Sequence, residues 1–174
     1  GEQFPIQMKN HISLVGSGQD LTILDAELYD SWPNEGQWPE LSEATTVILS
    51  EDTDGNYLKD LTITGGCGAS LVQNIGNHRS GGMMLINSNL IIENVTITQN
   101  QSSRGGGMYI QNSNLILINV IISKNYSAKG GGVYSYASNL NLEDVIIQDN
   151  IASTTSGGGL YIETSTLIYN GGEI

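Results

Sequence analysis

The stretch "GGGMYIQNSNLILINVIISKNYSAK" (105–129) decides the fold, because the chain repeats it. The stretch "SGGMMLINSNLIIENVTITQNQSSR" (80–104) aligns with it without a gap. "GGGVYSYASNLNLEDVIIQDNIASTTS" (130–156) follows it, and "GGGLYIETSTLIYNGGEI" (157–174) starts another copy. Short runs in each copy alternate apolar and polar residues and are rich in β-branched ones, which indicates strands. Such a period is typical of a solenoid in which each copy forms one coil.

The repeat predicts an all-β, parallel solenoid with about 25 residues and three short strands per coil. In the copy 105–129 the predicted strands are "GMYIQ", "NLILI" and "NVIISK". Equivalent residues of successive coils then stack about 4.8 Å apart. Their apolar members predict inward-facing columns: Met83, Met108, Val133 and Leu160; Leu90, Leu115, Leu140 and Leu167; Val95, Val120 and Val145; Ile97, Ile122 and Ile147. Ser135 interrupts the column of Ile110 and Ile162.

Asparagines and glycines recur at the same spacing. The repeat predicts two asparagine ladders, in which amides of adjacent coils hydrogen-bond to one another: Asn100, Asn125 and Asn150, and Asn89, Asn114 and Asn139. The glycine runs could suggest a phosphate-binding loop, but no helix and no Lys-Ser/Thr pair follows them. We predict instead corners where coils stack closely, so that Gly106→Val should destabilise the fold.

The whole chain, 1–174, is predicted to be a single β-helix domain, and part of a larger protein. Residues 1–57 read as irregular coils with an inserted loop at 29–43. Residues 58–174 read as regular coils, because "LKDLTITGG" (58–66) matches "IENVTITQN" further along the chain. The last copy stops before its row is complete. We therefore expect self-association or an adjoining domain at the C-terminal coil edge.

Composition excludes several classes of function. The chain of 174 residues has a net charge of −12, which argues against binding to nucleic acid or to anionic membranes. Residues 1–60 hold 12 of the acidic residues and only 2 basic ones. No apolar run approaches the roughly 20 residues that span a bilayer, so no membrane insertion by this segment is expected. The single cysteine rules out a disulfide framework.

The motifs "GGGMY", "GGGVY" and "GGGLY", with "ITQN", "ISKN" and "IQDN", resemble the repeats of chlamydial-type polymorphic outer-membrane proteins. They are also similar to secreted bacterial right-handed parallel β-helix proteins with pectate-lyase-like architecture. Here Ile replaces the phenylalanine of the chlamydial pattern. The resemblance implies a right-handed parallel β-helix in an extracellular or cell-surface, bacterial-type setting. It also implies an adhesin or passenger domain more often than a polysaccharide lyase or hydrolase.

Three groups of residues are candidates for ligand binding. Trp32 and Trp38 lie in the acidic insertion, where they either bind a glycan or cover the first coils. Tyr109, Tyr134 and Tyr161 alternate with the inward column, which predicts an exposed aromatic row that grips a glycan or surface protein, or that stiffens the sheet. Arg79, Arg104 and Lys129 precede the glycines and form a basic column, which either meets an acidic partner or is simply solvated.

A calcium site is a further candidate. "EDTDGN" (51–56) places Asp52, Asp54 and Asn56 at alternate positions, as a calcium loop begins, but Ile63 stands where the closing glutamate would be. A surface turn is the competing interpretation. The sequence requires no other cofactor.

Catalysis by a β-helix lyase or hydrolase requires a base beside clustered carboxylates. The acids of 80–174 form no cluster in the predicted columns. We therefore expect a non-catalytic extracellular or cell-surface module that serves as a rigid stalk or adhesion domain. The alternative is a carbohydrate-binding or polysaccharide-cleaving β-helix that uses the N-terminal loop region.

Overall fold

The structure is a computed structural model that describes residues 3–27, 46–68, 80–154 and 156–174. Across these ranges every pair of neighbouring strands is parallel, and strands from successive repeats lie side by side in three sheets. A parallel sheet built from consecutive short repeats, without helices between its strands, winds the chain into a solenoid.

The strands of the described residues fall into three sheets. The first sheet contains β1 (Ile6–Gln7), β4 (Ile48–Glu51), β6 (Met83–Ile86), β9 (Met108–Gln111), β13 (Val133–Tyr136) and β16 (Leu160–Glu163). The second contains β2 (Ser13–Val15), β3 (Ile23–Asp25), β5 (Asn56–Thr64), β7 (Asn89–Thr98), β10 (Asn114–Ile118), β11 (Ile121–Ser123), β14 (Asn139–Gln148) and β17 (Thr166–Glu173). The third contains β8 (Gln101–Arg104), β12 (Tyr126–Lys129) and β15 (Ile151–Ala152).

Residues that pair across neighbouring strands are the residues that align in the sequence repeats. Met108 pairs with Met83 on one side and with Val133 on the other. Leu115 likewise pairs with Leu90 and Leu140. Each turn of the solenoid therefore spans one sequence repeat, and the predicted coil of three strands forms a parallel β-helix.

The coil 105–129 contains one strand that the sequence did not predict. The predicted runs "NLILI" and "NVIISK" contain β10 and β11, which both pair with β7 and β14 in the second sheet. Asn119 separates them with a φ of 51°, a left-handed corner that asparagine tolerates. The third sheet instead takes "YSAK" (126–129), whose small and polar residues carry no hydrophobic alternation.

Regular pairing starts upstream of residue 58. β4 pairs with β6, and β5 pairs with β7 from Asn56 onward. Further upstream, β2 and β3 both pair with β5. Residues 46–68 thus form a coil in register with those that follow, although their sequence resembles the repeat only over 58–66.

The core lies inside the coils. The predicted inward columns, up to the copy 130–156, belong to one continuous apolar cluster that runs from Met8 and Leu24 to Val145 and Ile147. In the last copy Leu160 is only partly buried against this cluster, and Leu167, predicted to face inward, is exposed. Ser135 is fully buried where Ile110 and Ile162 stand in the adjacent coils, and its hydroxyl lies 3.1 Å from the hydroxyl of Ser165. Each fully buried Leu or Ile contributes roughly 1.5–3 kcal/mol, so these columns are the main source of stability.

A column of amides, buried at Asn100 and Asn125 and half-buried at Asn150, stands beside this core. We call Asn100, Asn125 and Asn150 the inner amide column. The Nδ2 atom of Asn100 donates to Oδ1 of Asn125 at 3.1 Å, and Nδ2 of Asn125 donates to Oδ1 of Asn150 at 3.0 Å. Each side-chain oxygen also accepts a backbone N–H of the preceding coil. The column therefore satisfies backbone groups at a buried corner.

The glycines allow adjacent coils to approach closely. A Cβ on Gly106 would lie 2.4 Å from the carbonyl oxygen of Tyr126 and 2.6 Å from that of Gly131. Both contacts are with backbone, which cannot rotate away. The preceding Gly105 has a φ of 59°, which a residue with a Cβ rarely adopts. The glycine run therefore forms a corner at which adjacent coils stack closely.

Candidate functional site

The three tyrosines stack on one another along the first sheet. The rings of Tyr109 and Tyr134 are 5.4 Å apart and 7° from parallel, and those of Tyr134 and Tyr161 are 5.1 Å apart and 13° from parallel. They alternate along their strands with the core columns, so they lie on the outer face of the sheet.

The predicted exposure of this row is wrong. Tyr109 is only 2% exposed and Tyr134 5%, and Tyr161 is half-buried. Leu49, Met84 and Ile86 lie on the same face of the sheet and form a second buried cluster with Tyr109 and Tyr134, against which Tyr161 packs. The run "MMLI" (83–86) carried this signal, since a strand that is apolar at every position is buried on both faces.

The basic column lies over the tyrosines. The guanidinium of Arg104 is 5.5 Å from the ring centre of Tyr134, and the ammonium of Lys129 is 5.8 Å from that of Tyr161. Both distances are within the range of a cation–π contact. Arg104 and Lys129 are neighbours in the third sheet, and each places its charge over a tyrosine two sequence copies further along the chain. Arg79 lies outside the described residues.

The tyrosine hydroxyls are also engaged within the stack. The hydroxyl of Tyr134 donates to a carboxylate oxygen of Glu163 at 2.9 Å, and that of Tyr109 donates to the amide oxygen of Gln111 at 2.7 Å. Burial, and next the hydrogen bond to Glu163, raises the pKa of Tyr134 to about 12. Tyr134 therefore bonds to the adjacent coil and Tyr109 to its own strand, and little of either side chain is left for a ligand.

The three calcium candidates do not converge. One carboxylate oxygen of Asp52 accepts from the amide of Asn87 at 2.8 Å, and one of Asp54 accepts from the amide of Asn89 at 2.9 Å. Asn56 points into the coil, where it is buried and hydrogen-bonds to Thr53. No three His, Cys, Asp or Glu side chains lie close enough to hold a metal ion in the described part of the chain. Asp52 and Asp54 lie in the turn between β4, which ends at Glu51, and β5, which begins at Asn56, so strand alternation does not bring the three side chains to one face.

The two aspartates instead begin rows of amides on the outer surface. We call Asn89, Asn114 and Asn139 the outer amide column. Each Nδ2 donates to the oxygen of the preceding coil, at 2.7 Å within the column, and the first of them reaches Asp54. Two shorter rows follow the same rule: Asn112 and Asn87 lead to Asp52, and Asn119 and Asn94 lead to Asp60.

A shallow trough runs along the solenoid axis beside the outer amide column. Its volume is about 550 Å³, and its exposed lining is mostly apolar. One side is the outer amide column. The other side is a column of outward-facing residues of the second sheet, which pair in register: Tyr57, Ile91, Ile116, Asn141 and Ile168. Neither the repeats nor composition indicated it, because isolated outward isoleucines are common on strands.

Asn141 is the exception in this isoleucine column. It pairs in register with Ile116 and Ile168. Its Oδ1 is buried and lacks a hydrogen-bond partner among the described residues. An unpaired buried acceptor costs roughly 1–3 kcal/mol, so this position is a local defect in the surface of the sheet.

A polar network closes one end of the trough. The hydroxyl of Tyr57 and the ammonium of Lys59 donate to the two carboxylate oxygens of Glu93, at 2.5 and 2.7 Å. The hydrogen bond from Lys59, and next that from Tyr57, lowers the pKa of Glu93, and the bond to Glu93 raises the pKa of Lys59. Glu93 is therefore held ionised and Lys59 protonated, which suits neither a general acid nor a general base.

The two tryptophans predicted as ligand-binding candidates, Trp32 and Trp38, lie outside the described residues. Cys67 is buried, and burial raises the pKa of its thiol to about 11, so the thiol is protonated and unreactive at neutral pH. Nowhere in the described ranges does a helix have the length and apolar character needed to cross a membrane.

The fold places this chain in a known family. The family described as "Right handed beta helix region" matches residues 10–171, so the chain belongs to that family. This confirms the predicted right-handed parallel β-helix. No curated protein and no solved structure matches the chain significantly.

Proposed function

We propose that this chain is a non-catalytic module of an extracellular or cell-surface protein, where it serves as a rigid stalk or adhesion domain. The observation that carries the proposal is how five of the described carboxylates are used. Asp52, Asp54 and Asp60 receive the amides of the outer rows, Glu93 holds Lys59, and Glu163 receives Tyr134. These side chains connect adjacent coils, as expected for a module that serves as a rigid spacer.

Stiffness follows from the direction of these contacts. Backbone hydrogen bonds, amide columns and stacked tyrosines all run along the axis, so bending the solenoid would strain several of them at once. The asparagine ladders and the tyrosine row therefore support a spacer role. A bacterial-type surface location is part of the proposal, because secreted β-helix proteins share the repeat pattern.

The catalytic alternative is tested with acidic polysaccharides. The purified chain is incubated with polygalacturonate and with alginate, with and without calcium, and unsaturated product is followed by ultraviolet absorbance. We expect no product above that of heat-denatured chain. Sustained product formation that Lys59→Ala abolishes, while Lys124→Ala does not, would overturn the proposal.

The surface location is tested on cells of the source organism. Antibodies raised against the folded chain should label intact cells as strongly as permeabilised ones. Labelling that needs permeabilisation would place the protein inside the cell and contradict this part of the proposal.

A further inference from the structure

We infer that the trough beside the outer amide column is a docking surface for a basic amphipathic α-helix of a partner protein. The inference deepens the proposed adhesion role by naming the class of partner. It starts from the isoleucines of the trough. Ile91 and Ile116 are 40% and 38% exposed and adjoin each other along the axis, and Ile168, 54% exposed, continues this apolar stripe beyond Asn141.

The stripe lies in the middle of the second sheet and not at its edge. β7, β10 and β14 have their backbone groups paired on both sides. A partner therefore cannot add a strand there, and it must bind through side chains.

The spacing of the stripe fits a helix better than an extended segment. Coils recur about every 4.8 Å and helical turns about every 5.4 Å, so four intervals accumulate an offset of only about 2.4 Å. Same-face side chains of an extended segment recur about every 6.8 Å and are out of step after one coil. The five coils that line the trough span about 19 Å, the length of a helix of about 13 residues.

The charges near the trough favour a basic helix over an acidic one. Asp54 lines the trough, and Glu143 stands exposed two residues beyond Asn141 on the same strand. Lys59, the nearby cation, is already paired with Glu93. None of the described lysines or arginines lines the trough. Its free charges are therefore negative, which complements lysines or arginines that flank the apolar face of the helix.

The probe is a labelled synthetic peptide of about 14 residues, with leucines at helical i, i+3, i+4 and i+7 spacing and lysines elsewhere. A second peptide carries glutamates in place of the lysines. Fluorescence anisotropy with the full 174-residue chain should show the lysine peptide binding at least about tenfold more tightly at low salt. Equal binding of the two peptides, or no binding of the lysine peptide, would overturn the inference.

Two matched variants decide whether binding occurs at the trough. Ile116→Asn removes the centre of the stripe, and it should weaken binding of the lysine peptide about fivefold or more. Ile151→Asn is the control, because Ile151 is similarly exposed, at 42%, but lies in the third sheet. It should leave the affinity within about twofold. If Ile116→Asn bound the lysine peptide as tightly as Ile151→Asn does, the peptide would be attracted to the acidic surface in general, and the inference would be contradicted.

A neutral oligosaccharide such as cellohexaose is tested with the same variants. Binding of the sugar that Ile116→Asn abolishes, together with peptide binding that this variant leaves unchanged, would assign the trough to a glycan and overturn the helix. These measurements follow binding at the trough, whereas the polysaccharide test follows product formation and the labelling test follows location, so each can fail without the others.

Discussion

The inner and outer amide columns contain the same residue at the same spacing, yet their hydrogen bonds run in opposite directions. In the inner column Nδ2 of Asn100 donates forward, to Asn125 of the following coil. In the outer column Nδ2 of Asn114 donates backward, to Asn89 of the preceding coil. Which atom of an amide faces which neighbour is decided by the partners at hand, and the two columns have different partners.

In the inner column the backbone decides the direction. The N–H of Asn100 points at the next coil, so the side chain of Asn125 must present its oxygen there. In the outer column Asp54 decides it. An ionised carboxylate can only accept, so Asn89 must turn its nitrogen towards Asp54 and leave its oxygen for the coil that follows. One aspartate thus orients a whole row of amides.

The two columns also differ in whether water could replace their hydrogen bonds. Asn100 and Asn125 of the inner column are buried, Asn150 is half-buried, and all three serve backbone groups, whereas the outer amides are exposed and serve one another. Water can replace the hydrogen bonds of the outer column but not those of the inner one. The same residue type at the same spacing should therefore contribute very unequally to stability.

Substitution of Asn125 should have the largest effect. Asn125→Ala leaves the backbone N–H of Asn100 and the carbonyl of Ile97 without their partner in a buried corner. We expect the free energy of unfolding to fall by about 3 kcal/mol or more, measured by urea denaturation. Asn114→Ala is the matched control, and it should cost less than about 1 kcal/mol. Equal losses would show that the buried column has no special role.

A side chain placed between adjacent coils next to the inner column should have the next largest effect on stability. A Cβ on Gly107 would lie 2.7 Å from the carbonyl oxygen of Gly132 and 3.0 Å from Nδ2 of Asn125. Gly107→Ala should therefore cost about 1–3 kcal/mol through overpacking.

Gly159 occupies the same column and supplies the control. A Cβ there would meet only the side chain of Ile147 at 3.1 Å and its carbonyl oxygen at 4.0 Å. The change in thermal unfolding temperature should be small for Gly159→Ala and clear for Gly107→Ala. If both variants melted like the parent chain, close stacking of the glycines would not limit stability.

Replacing Asn141 on the outer surface should raise the stability of the chain. Asn141→Ile removes an acceptor that has no partner among the described residues, and it continues the column of Ile116 and Ile168 with a residue that favours strands. We expect the free energy of unfolding to rise by about 1 kcal/mol. Asn139→Ile, on the same strand, loses its hydrogen bond to Asn114 and should bring no gain. A loss of stability in Asn141→Ile would mean that the amide is satisfied in solution.

The repeat alone predicted the coil, its register and the inward columns, because stacking brings equivalent residues of successive copies together. It did not predict β12, since "YSAK" pairs through its backbone and shows no hydrophobic period. It also missed the part that Asp54 plays. Asp54 is engaged by an amide 35 residues along the chain, and only the registered coils show that this amide is the first of a row.

The tyrosine row shows a second limit of the sequence. Alternation along the strand correctly places Tyr134 on the outer face of the first sheet, but it does not tell whether that face is covered. Leu49, Met84 and Ile86 make it a buried apolar cluster. Whether a residue faces outward is a property of its strand, whereas its exposure depends on the neighbouring coils.

The smallest effect, and one visible only at high pH, concerns Tyr134. Burial and the hydrogen bond to Glu163 raise its pKa from 10 to about 12. The folded chain therefore binds a proton more tightly than the unfolded chain. The resulting stability is fully present below pH 10 and is lost as the pH rises towards 12.

Tyrosinate absorbance during a pH titration should show Tyr134 ionising late, and Tyr134→Phe should remove that late step. Glu163→Gln should lower the pKa of Tyr134 only part of the way, because burial, the larger cause, remains. If Tyr134 titrated with the exposed tyrosines while the chain stayed folded, the outer face of the first sheet would be open to water. The tyrosine row would then have to be counted with the outer amide column rather than with the inner one.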